Sequence, residues 1–252
     1  MGFGGARGKA RPDPAWPGGW HKASPDGHTE AIGGPVIKTL ALLKRRPDLD
    51  RAAFRHHYET THAPLALPLM TGLVRYVRYH LEEDLLGEVG FDVVSAFWYR
   101  DARAVATSME ALAGEAGKPI LADELEFMDK PKNTFFPVSE RSWVEGEEGD
   151  ETVFVLVKKP AQMSRYDCSA RLLADHWPKL LEGFEGVEFA FLRETFPLRS
   201  NPPAEAVELR YNAVLQVRVA QVGGIEDWAT ELESVGFGVA AVRARRFETQ
   251  LA

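Results

Sequence analysis

The feature that most constrains the fold of this 252-residue chain is a set of landmarks that occurs twice at one spacing. Each landmark of the first half returns 114 positions later: Lys44-Arg45 as Lys158-Lys159, His62-Ala63-Pro64 as His176-Trp177-Pro178, and Gly72 as Gly186. Landmarks that recur at a fixed spacing are the sequence signature of a repeat. We therefore predict an internal duplication, with two units of similar structure in one chain.

Both halves contain predicted elements in the same order, strand–helix–strand–strand–helix–strand. The predicted strands cover residues 36–45, 73–81, 91–99, 152–159, 187–194, 209–219 and 239–247, and the predicted helices cover 51–61, 102–113, 169–181 and 226–234. Residues 123–129 form either a short helix or the fourth strand of the first half. This order is that of a ferredoxin-like α+β unit, βαββαβ.

Two units of this kind are expected to cover each other. A ferredoxin-like sheet carries helices on one face only, so its other face needs a cover, and the equivalent face of the second unit is the natural one. We predict an α+β fold in which two antiparallel sheets pack face to face, as a pseudo-dimer, and enclose a barrel-like cavity.

Composition divides the chain into four segments. Residues 1–35 form a Gly- and Pro-rich arm, for which a lid, an intersubunit strap and a disordered tail all stay open. Residues 36–143 form the domain with the predicted site, and residues 144–151 form an acidic linker. Residues 152–252 form a second, degenerate domain.

The composition also narrows the class of partner. A formal net charge of −7 disfavours nucleic acids and anionic membranes, because both select basic surfaces. The single cysteine, Cys168, excludes an internal disulfide and fits a reducing compartment. No apolar run approaches the roughly 20 residues that span a bilayer, and the N-terminus lacks a secretory signal. We predict a cytoplasmic protein that binds a small molecule, and we leave a homodimer open.

Residues suited to proton transfer concentrate between Arg55 and His80. This stretch holds four of the seven histidines of the chain. Alternation sorts strand 73–81 into two faces. The face with Tyr76, Arg78 and His80 is predicted to line the cavity, because the second-half counterpart of the other face is the more apolar one.

An imidazole, a phenol and a guanidinium in one enclosed space can move a proton and hold an anionic oxygen. We predict His62 or His80 as the general acid/base and Tyr76 as the group that positions or protonates the substrate. The predicted substrate-binding residues are Arg78, His57, Trp98 and Phe97. For His62, a structural role at the helix end stays open, because His176 stands at the same place in the second half.

The stretch LLKRRPDLDRAAFRHHYETTHAPLALPLMTGLVRYVRYH resembles an EthD domain, one branch of the dimeric α+β barrel superfamily. The matching features are the Arg45-Arg46-Pro47 turn, the helix that ends in His62-Ala63-Pro64-Leu65, and the segment Gly72-Leu73-Val74-Arg75-Tyr76. The resemblance covers residues 36–140 well and residues 152–250 only through the repeat. It implies a cofactor-independent lyase (decarboxylase or dehydratase) or isomerase that acts on a small aromatic, lactone or polyketide-like compound.

Two other classes of function stay open, a non-catalytic small-molecule binding protein and a haem- or metal-binding barrel. The histidines fit no standard ligand spacing such as HExxH, and neither GxGxxG at a strand–helix junction nor GxxxxGK[ST] occurs. We therefore predict that the protein uses no metal and no cofactor.

Overall fold

The structure, a computed structural model, describes residues 36–142, 151–176, 187–192, 211–217 and 224–251. All of these residues belong to one unit, Gly33–Ala252. The predicted arm at 1–35 and nearly all of the predicted linker lie outside the described residues. The division into domains at 36–143 and 152–252 stays a prediction.

Eight antiparallel strands form one closed barrel. They are β1 (Ile37–Leu43), β2 (Leu73–Leu86), β3 (Val93–Tyr99), β4 (Thr134–Ser142), β5 (Glu151–Lys158), β6 (Val187–Leu192), β7 (Ala213–Val217) and β8 (Gly238–Thr249). Their order around the barrel is β1-β3-β2-β8-β5-β7-β6-β4. Each half thus contributes its strands in the same order, β4-β1-β3-β2 and β8-β5-β7-β6. The predicted α+β class is confirmed.

The two halves are joined by hydrogen-bonded strand pairs. β2 pairs with β8, and β4 pairs with β6, both antiparallel. A sheet that closes on itself leaves no edge strand unpaired. The two predicted sheets are therefore continuous with each other along both edges, and together they form one barrel wall.

The helices precede or follow the strands of each half. They are α1 (Arg51–His57), α2 (Ala63–Ala66), α3 (Ala102–Ala113), α4 (Lys118–Phe127), α5 (Arg165–Arg171) and α6 (Ile225–Ser234). Buried residues of α1, α3 and α4 pack with one face of β1–β3, and those of α5 and α6 pack with β5, β7 and β8. Residues 123–129, left open between helix and strand, lie mostly in α4, and β4 is the fourth strand of the first half.

In the described part of the barrel, the interior is filled mainly by apolar side chains, and Lys38 and Gln216 also line the small cavity that remains. A separate buried cluster, to which the helices contribute nothing, takes alternate residues from strands of both halves: Leu40, Leu42, Val77, Tyr79, Leu81, Val94, Ala96, Phe136, Phe154, Leu156, Val214, Ala240, Val242 and Ala244. The cavity among these residues measures about 10 Å³, which is room for about one water molecule. The described residues of the barrel therefore do not enclose the predicted substrate cavity between the two sheets.

The predicted orientation of β2 is wrong for the same reason. Val77, Tyr79 and Leu81 face the barrel interior, whereas Tyr76 belongs to the layer under the helices and Arg78 and His80 alternate with the interior residues on the same side as Tyr76. Interiors of eight-stranded barrels are filled by side chains. An apolar strand face thus suits the barrel interior as well as a helix contact, and alternation alone does not distinguish the two.

A π-helical turn, Tyr58–His62, continues α1. The amide of Ala63 donates to the carbonyl of Tyr58, five residues earlier. Pro64 has no N–H, so the α-helical ladder could not continue through it, and the wider turn brings the chain past this position into α2. The second half repeats the turn at Leu172–His176, 114 residues later. π-Helical turns are rare and occur frequently at functional sites.

Candidate functional site

Most of the predicted site residues meet in one layer, between the outer face of the barrel and the helices of the first half. α1 and the π-helical turn lie over β2 and β3, with α4 beside them. This layer contains His57, His62, Tyr76, Arg78, His80 and Phe97. The predicted grouping is thus observed, but on the other side of the sheet.

Glu59 is the centre of the first cluster. Its Oε1 lies 2.6 Å from Nε2 of His80, and Nη2 of Arg78 donates to its Oε2 at 2.7 Å. Nε of Arg78 donates to the same carboxylate at 2.8 Å, which makes the pair bidentate. Nη1 of Arg78 donates to Oγ1 of Thr249 at 2.6 Å. A bidentate arginine holds the carboxylate in one orientation toward His80.

The protonation states of this pair follow from its environment. Burial would raise the pKa of Glu59, but hydrogen bonds from His80 and Arg78 outweigh it, and the pKa lies below the ordinary 4.5. Burial lowers the pKa of His80 below 6.5, although Glu59 acts in the opposite direction. At neutral pH, a neutral imidazole therefore donates its Nε2 proton to an ionised carboxylate.

That tautomer leaves a lone pair on Nδ1 of His80. The side chain is 3% exposed, and Nδ1 has no hydrogen-bond partner among the described residues. A buried polar atom without a partner costs stability, so it points to a role other than folding. A neutral histidine oriented by a carboxylate, with its other nitrogen unprotonated, is the arrangement of a general base.

Two buried tyrosines lie beside this cluster. The hydroxyl of Tyr58 lies 2.9 Å from that of Tyr76 and 2.9 Å from Oγ of Ser95. The ring of Tyr76 stacks on Phe97 at 4.6 Å, and the guanidinium of Arg78 lies 4.4 Å above it. Burial raises the pKa of Tyr58, and burial together with the neighbouring Tyr58 raises that of Tyr76 well above 10.0. Both phenols stay neutral, and Tyr76 supports Arg78.

A second carboxylate, Asp123 of α4, holds the other two predicted histidines. Its Oδ1 lies 2.7 Å from Nε2 of His57, and its Oδ2 lies 2.9 Å from Nδ1 of His62. Both imidazoles also contact the ring of Phe127, at 4.4 and 5.2 Å between centroids. Burial lowers the pKa of His62, against the effect of Asp123. This group fastens α4 to the π-helical turn.

An open pocket of about 220 Å³ borders the Glu59 cluster. Residues from α1, β2 and the start of β3 line it: Arg51, Ala52, Arg55, His80, Leu81, Glu82 and Asp92. His80 is the only one of the predicted site residues in this lining. An engineered apolar cavity of about 150 Å³ binds benzene, so the pocket accommodates a ligand with one ring.

Trp98 does not join the site. It packs against the cluster that fills the barrel interior, on the face of β3 opposite to Phe97. Nζ of Lys38 and the guanidinium of Arg75 lie 4.6 and 4.8 Å from its ring. Phe97 stacks on Tyr76 within the protein, so neither of the two aromatics lines the pocket beside His80.

The sequence reasoning missed the residues that orient the histidines. Glu59, Asp123, Ser95 and Tyr58 are not among the predicted site residues. A carboxylate on the same helix as His57 and His62 is a usable signal for Glu59. Asp123 lies about 60 residues away in the chain from its partners, and no local pattern connects them.

Within the described residues, no group of three or more His, Cys, Asp or Glu side chains is placed to hold a metal ion. In the same part of the chain, none of the helices combines the length and the apolar character of a membrane span.

Comparison with known proteins gives one family and a set of similar structures. Residues 46–131 match the family model of the EthD domain. An anthrone oxidase-like protein is 12% identical, with 86% of this chain and 95% of that chain covered and a TM-score of 0.51, a likeness of fold alone. An ethyl tert-butyl ether D (EthD) family protein from Bacillus halodurans C-125 is 27% identical over 46% of this chain and 100% of that one, with a TM-score of 0.32. An EthD-like protein from Ralstonia eutropha JMP134 is 20% identical over 37% and 82%, with a TM-score of 0.28. No curated protein matches the chain.

Proposed function

Residues 46–131 of this chain form an EthD domain, and on this premise we propose that the protein is an acid–base enzyme. It acts as a lyase or isomerase on a small aromatic, lactone or polyketide-like compound, with His80 as the general base. One observation carries the proposal: His80, a buried neutral histidine oriented by Glu59 whose Nδ1 has no hydrogen-bond partner among the described residues, belongs to the lining of a pocket large enough for one ring.

The reaction needs a proton moved at carbon. Nδ1 of His80 takes a proton from a carbon next to a carbonyl, and the electron pair of that C–H bond moves into an enolate. In an isomerase the imidazolium returns the proton at another carbon, and in a lyase the electron pair expels a leaving group. Glu59 stabilises the imidazolium that forms in between.

The other predicted residues act through His80. Glu59 positions His80, Arg78 positions Glu59, and Tyr76 supports Arg78, so we assign positioning roles to Arg78 and Tyr76. His62 lies outside the pocket lining, and His176 is its counterpart in the second half. We therefore assign His62 and His57 to the attachment of α4.

Substitution of His80 tests the proposal. The full chain is incubated in D₂O with a panel of aromatic acids and lactones, and products and deuterium at carbon are measured by mass spectrometry. His80→Asn is expected to lower turnover at least about 100-fold, the range for a general acid or base. The control is His56→Asn, which changes an exposed histidine of α1 and keeps wild-type turnover.

Wild-type turnover by His80→Asn would remove the mechanism. Saturable binding of a panel member by the wild type, without products or deuterium incorporation, would instead support the non-catalytic binding protein.

We also propose that the barrel is a pseudo-dimer of two ferredoxin-like copies. Three features at matching positions support this, besides the strand order. The helix caps Asp50 and Ser164 are 114 residues apart, and so are the two π-helical turns. The amide of Asp92 donates to the carbonyl of Leu43, and that of Asn212 donates to the carbonyl of Val157, also 114 residues after Leu43.

A further inference from the structure

The pocket beside His80 has two arginines in its wall. Arg51 and Arg55 are four residues apart on α1, so both side chains lie on one face of that helix. Their side chains are 35% and 34% exposed, which keeps the guanidinium groups accessible from the pocket. His80 lies in the same lining, and the charge of Arg55 acts on its pKa.

The pocket lining itself holds two arginines and two carboxylates, Glu82 and Asp92, but the ion-pair partners of these groups outside the lining add a net positive charge, although the whole chain carries a formal charge of −7. Five cationic side chains take part in its ion pairs: Lys44, Arg45, Arg51, Arg55 and Arg245. Three carboxylates accept from them: Glu82, Asp84 and Asp92. A local excess of positive charge in an acidic protein attracts small anions and selects them over neutral compounds.

The ion pairs of the two arginines are long. Arg55 lies 3.3 Å from Glu82, and Arg51 lies 3.4 Å from Asp84 and 3.5 Å from Asp92. Charge-assisted hydrogen bonds of full strength measure about 2.7–2.9 Å. Arg55 can therefore turn to an incoming anion at little cost, whereas Nη1 of Arg51 also donates to the carbonyl of Glu82 at 2.8 Å, so that Arg51 meets the anion with its Nη2 and Nε.

The lining carboxylates stay paired when the arginines turn. Glu82 keeps Nε of Arg245 at 3.0 Å. Asp92 keeps Nζ of Lys44 at 3.0 Å and both Nε and the amide of Arg45 at 3.1 Å. Glu82 and Asp92 therefore each keep at least one cationic partner when the arginines bind an anion.

We propose that Arg51 and Arg55 bind a carboxylate of the substrate, so that the substrate is a small carboxylic acid with no more than one ring. The proposal rests on the function proposed above, since it places the carboxylate in the pocket that His80 lines. The planar guanidinium fork matches a carboxylate, which a neutral amide of the same shape does not reproduce. The size of the pocket, about 220 Å³, sets the limit of one ring.

Calorimetric titration of the full chain with benzoate and with benzamide tests this. Benzoate is expected to bind at least about tenfold more tightly than benzamide, because charge-assisted bonds are stronger than neutral ones. Arg51→Gln and Arg55→Gln are each expected to weaken benzoate binding about tenfold or more and to leave benzamide unchanged. Arg243→Gln is the control: Arg243 is also 35% exposed and paired, with Glu83, but does not line the pocket. It keeps wild-type affinity for benzoate.

Equal affinity of the wild type for benzoate and benzamide, or no binding of benzoate, would overturn the proposal without any variant. Benzoate affinity in Arg51→Gln and Arg55→Gln equal to that of Arg243→Gln would overturn it as well. His80→Asn separates the two proposals, because it is expected to bind benzoate as the wild type does while it loses turnover. If His80→Asn keeps turnover and the arginine variants lose benzoate, the catalytic proposal fails and the carboxylate site stands.

Discussion

Among the described residues, the layer between barrel and helices holds an extended network of polar side chains in the first half of the chain and is mainly apolar in the second. Tyr58 and Ser95 stand in the first layer and share a hydrogen bond. Leu172 is 114 residues after Tyr58, and Leu215 pairs with β5 where Ser95 pairs with β1; both leucines are buried. The matching positions thus hold a hydrogen-bonded pair in the first half and two buried leucines in the second. Proteins place polar groups in a buried layer where function requires them, so the contrast favours a site in the first half.

Both halves contain a histidine–carboxylate contact at matching places, and this contact distinguishes the role of His62 from that of His80. Each π-helical turn ends in a buried histidine that faces a carboxylate on the helix before the last strand of its half, α4 in the first half and α6 in the second. His62 lies 2.9 Å from Asp123, and His176 lies 3.3 Å from Glu231. A contact present in both halves serves the shared fold. His80 has no such counterpart, because residue 194 is a glutamate, which favours His80 as the base.

The largest expected effect concerns the apolar layer of the second half. Leu172 is 1% exposed, and Leu172→Ala should lower the free energy of unfolding by about 2–5 kcal/mol, since it removes packed methyl groups and leaves a cavity. Urea denaturation measures this, with Leu125→Ala, a 55% exposed leucine, as the control near zero. Turnover per folded molecule should not change. A loss of turnover in the folded variant would show that the second half takes part in the chemistry.

The next effect concerns the polar layer of the first half. Glu59→Gln should lower turnover about 10- to 100-fold, because the amide no longer fixes the tautomer of His80 or stabilises its imidazolium. The pH profile gives a second readout. A base with a lowered pKa makes activity rise with pH through a midpoint below 6.5. Glu59 raises that pKa, so its loss moves the midpoint to lower pH.

The matched control for this variant is Glu83→Gln, which changes an exposed carboxylate of β2 that lies outside the pocket. If the midpoint of the pH profile does not shift in Glu59→Gln and its turnover equals that of Glu83→Gln, the proposed role of Glu59 is contradicted.

The smallest effect distinguishes the two histidine–carboxylate contacts. Asp123 is 10% exposed and accepts from two histidines, so Asp123→Asn should cost about 1–2 kcal/mol of stability. Glu231 is 36% exposed and 3.3 Å from His176, so Glu231→Gln should cost less than about 0.5 kcal/mol. Chemical denaturation of both variants under the same conditions measures the difference. Equal losses in the free energy of unfolding would mean that the two contacts stabilise their halves to the same extent.

Elements of secondary structure could be predicted from local patterns. The helix predicted over 102–113 has these bounds in the structure. The continuation of α1 through a π-helical turn could not be predicted, because it depends on how Pro64 is accommodated. The partners of Glu59 lie 19 and 21 residues away, and they meet only when α1 packs on β2.

Alternation along β2 placed Tyr76, Arg78 and His80 on one side of the strand, because successive side chains of a strand point to opposite faces whatever surrounds them. Whether that side lay inside the barrel or beneath the helices depended on the pairing of β2 with β8 and of β4 with β6. The β2–β8 pairing joins residues more than 150 positions apart and the β4–β6 pairing joins residues about 50 positions apart, and together they closed a barrel that the face with Val77 and Tyr79 had to fill. Barrel closure therefore decided that the proton-transfer groups lie under α1, beside a pocket with two arginines.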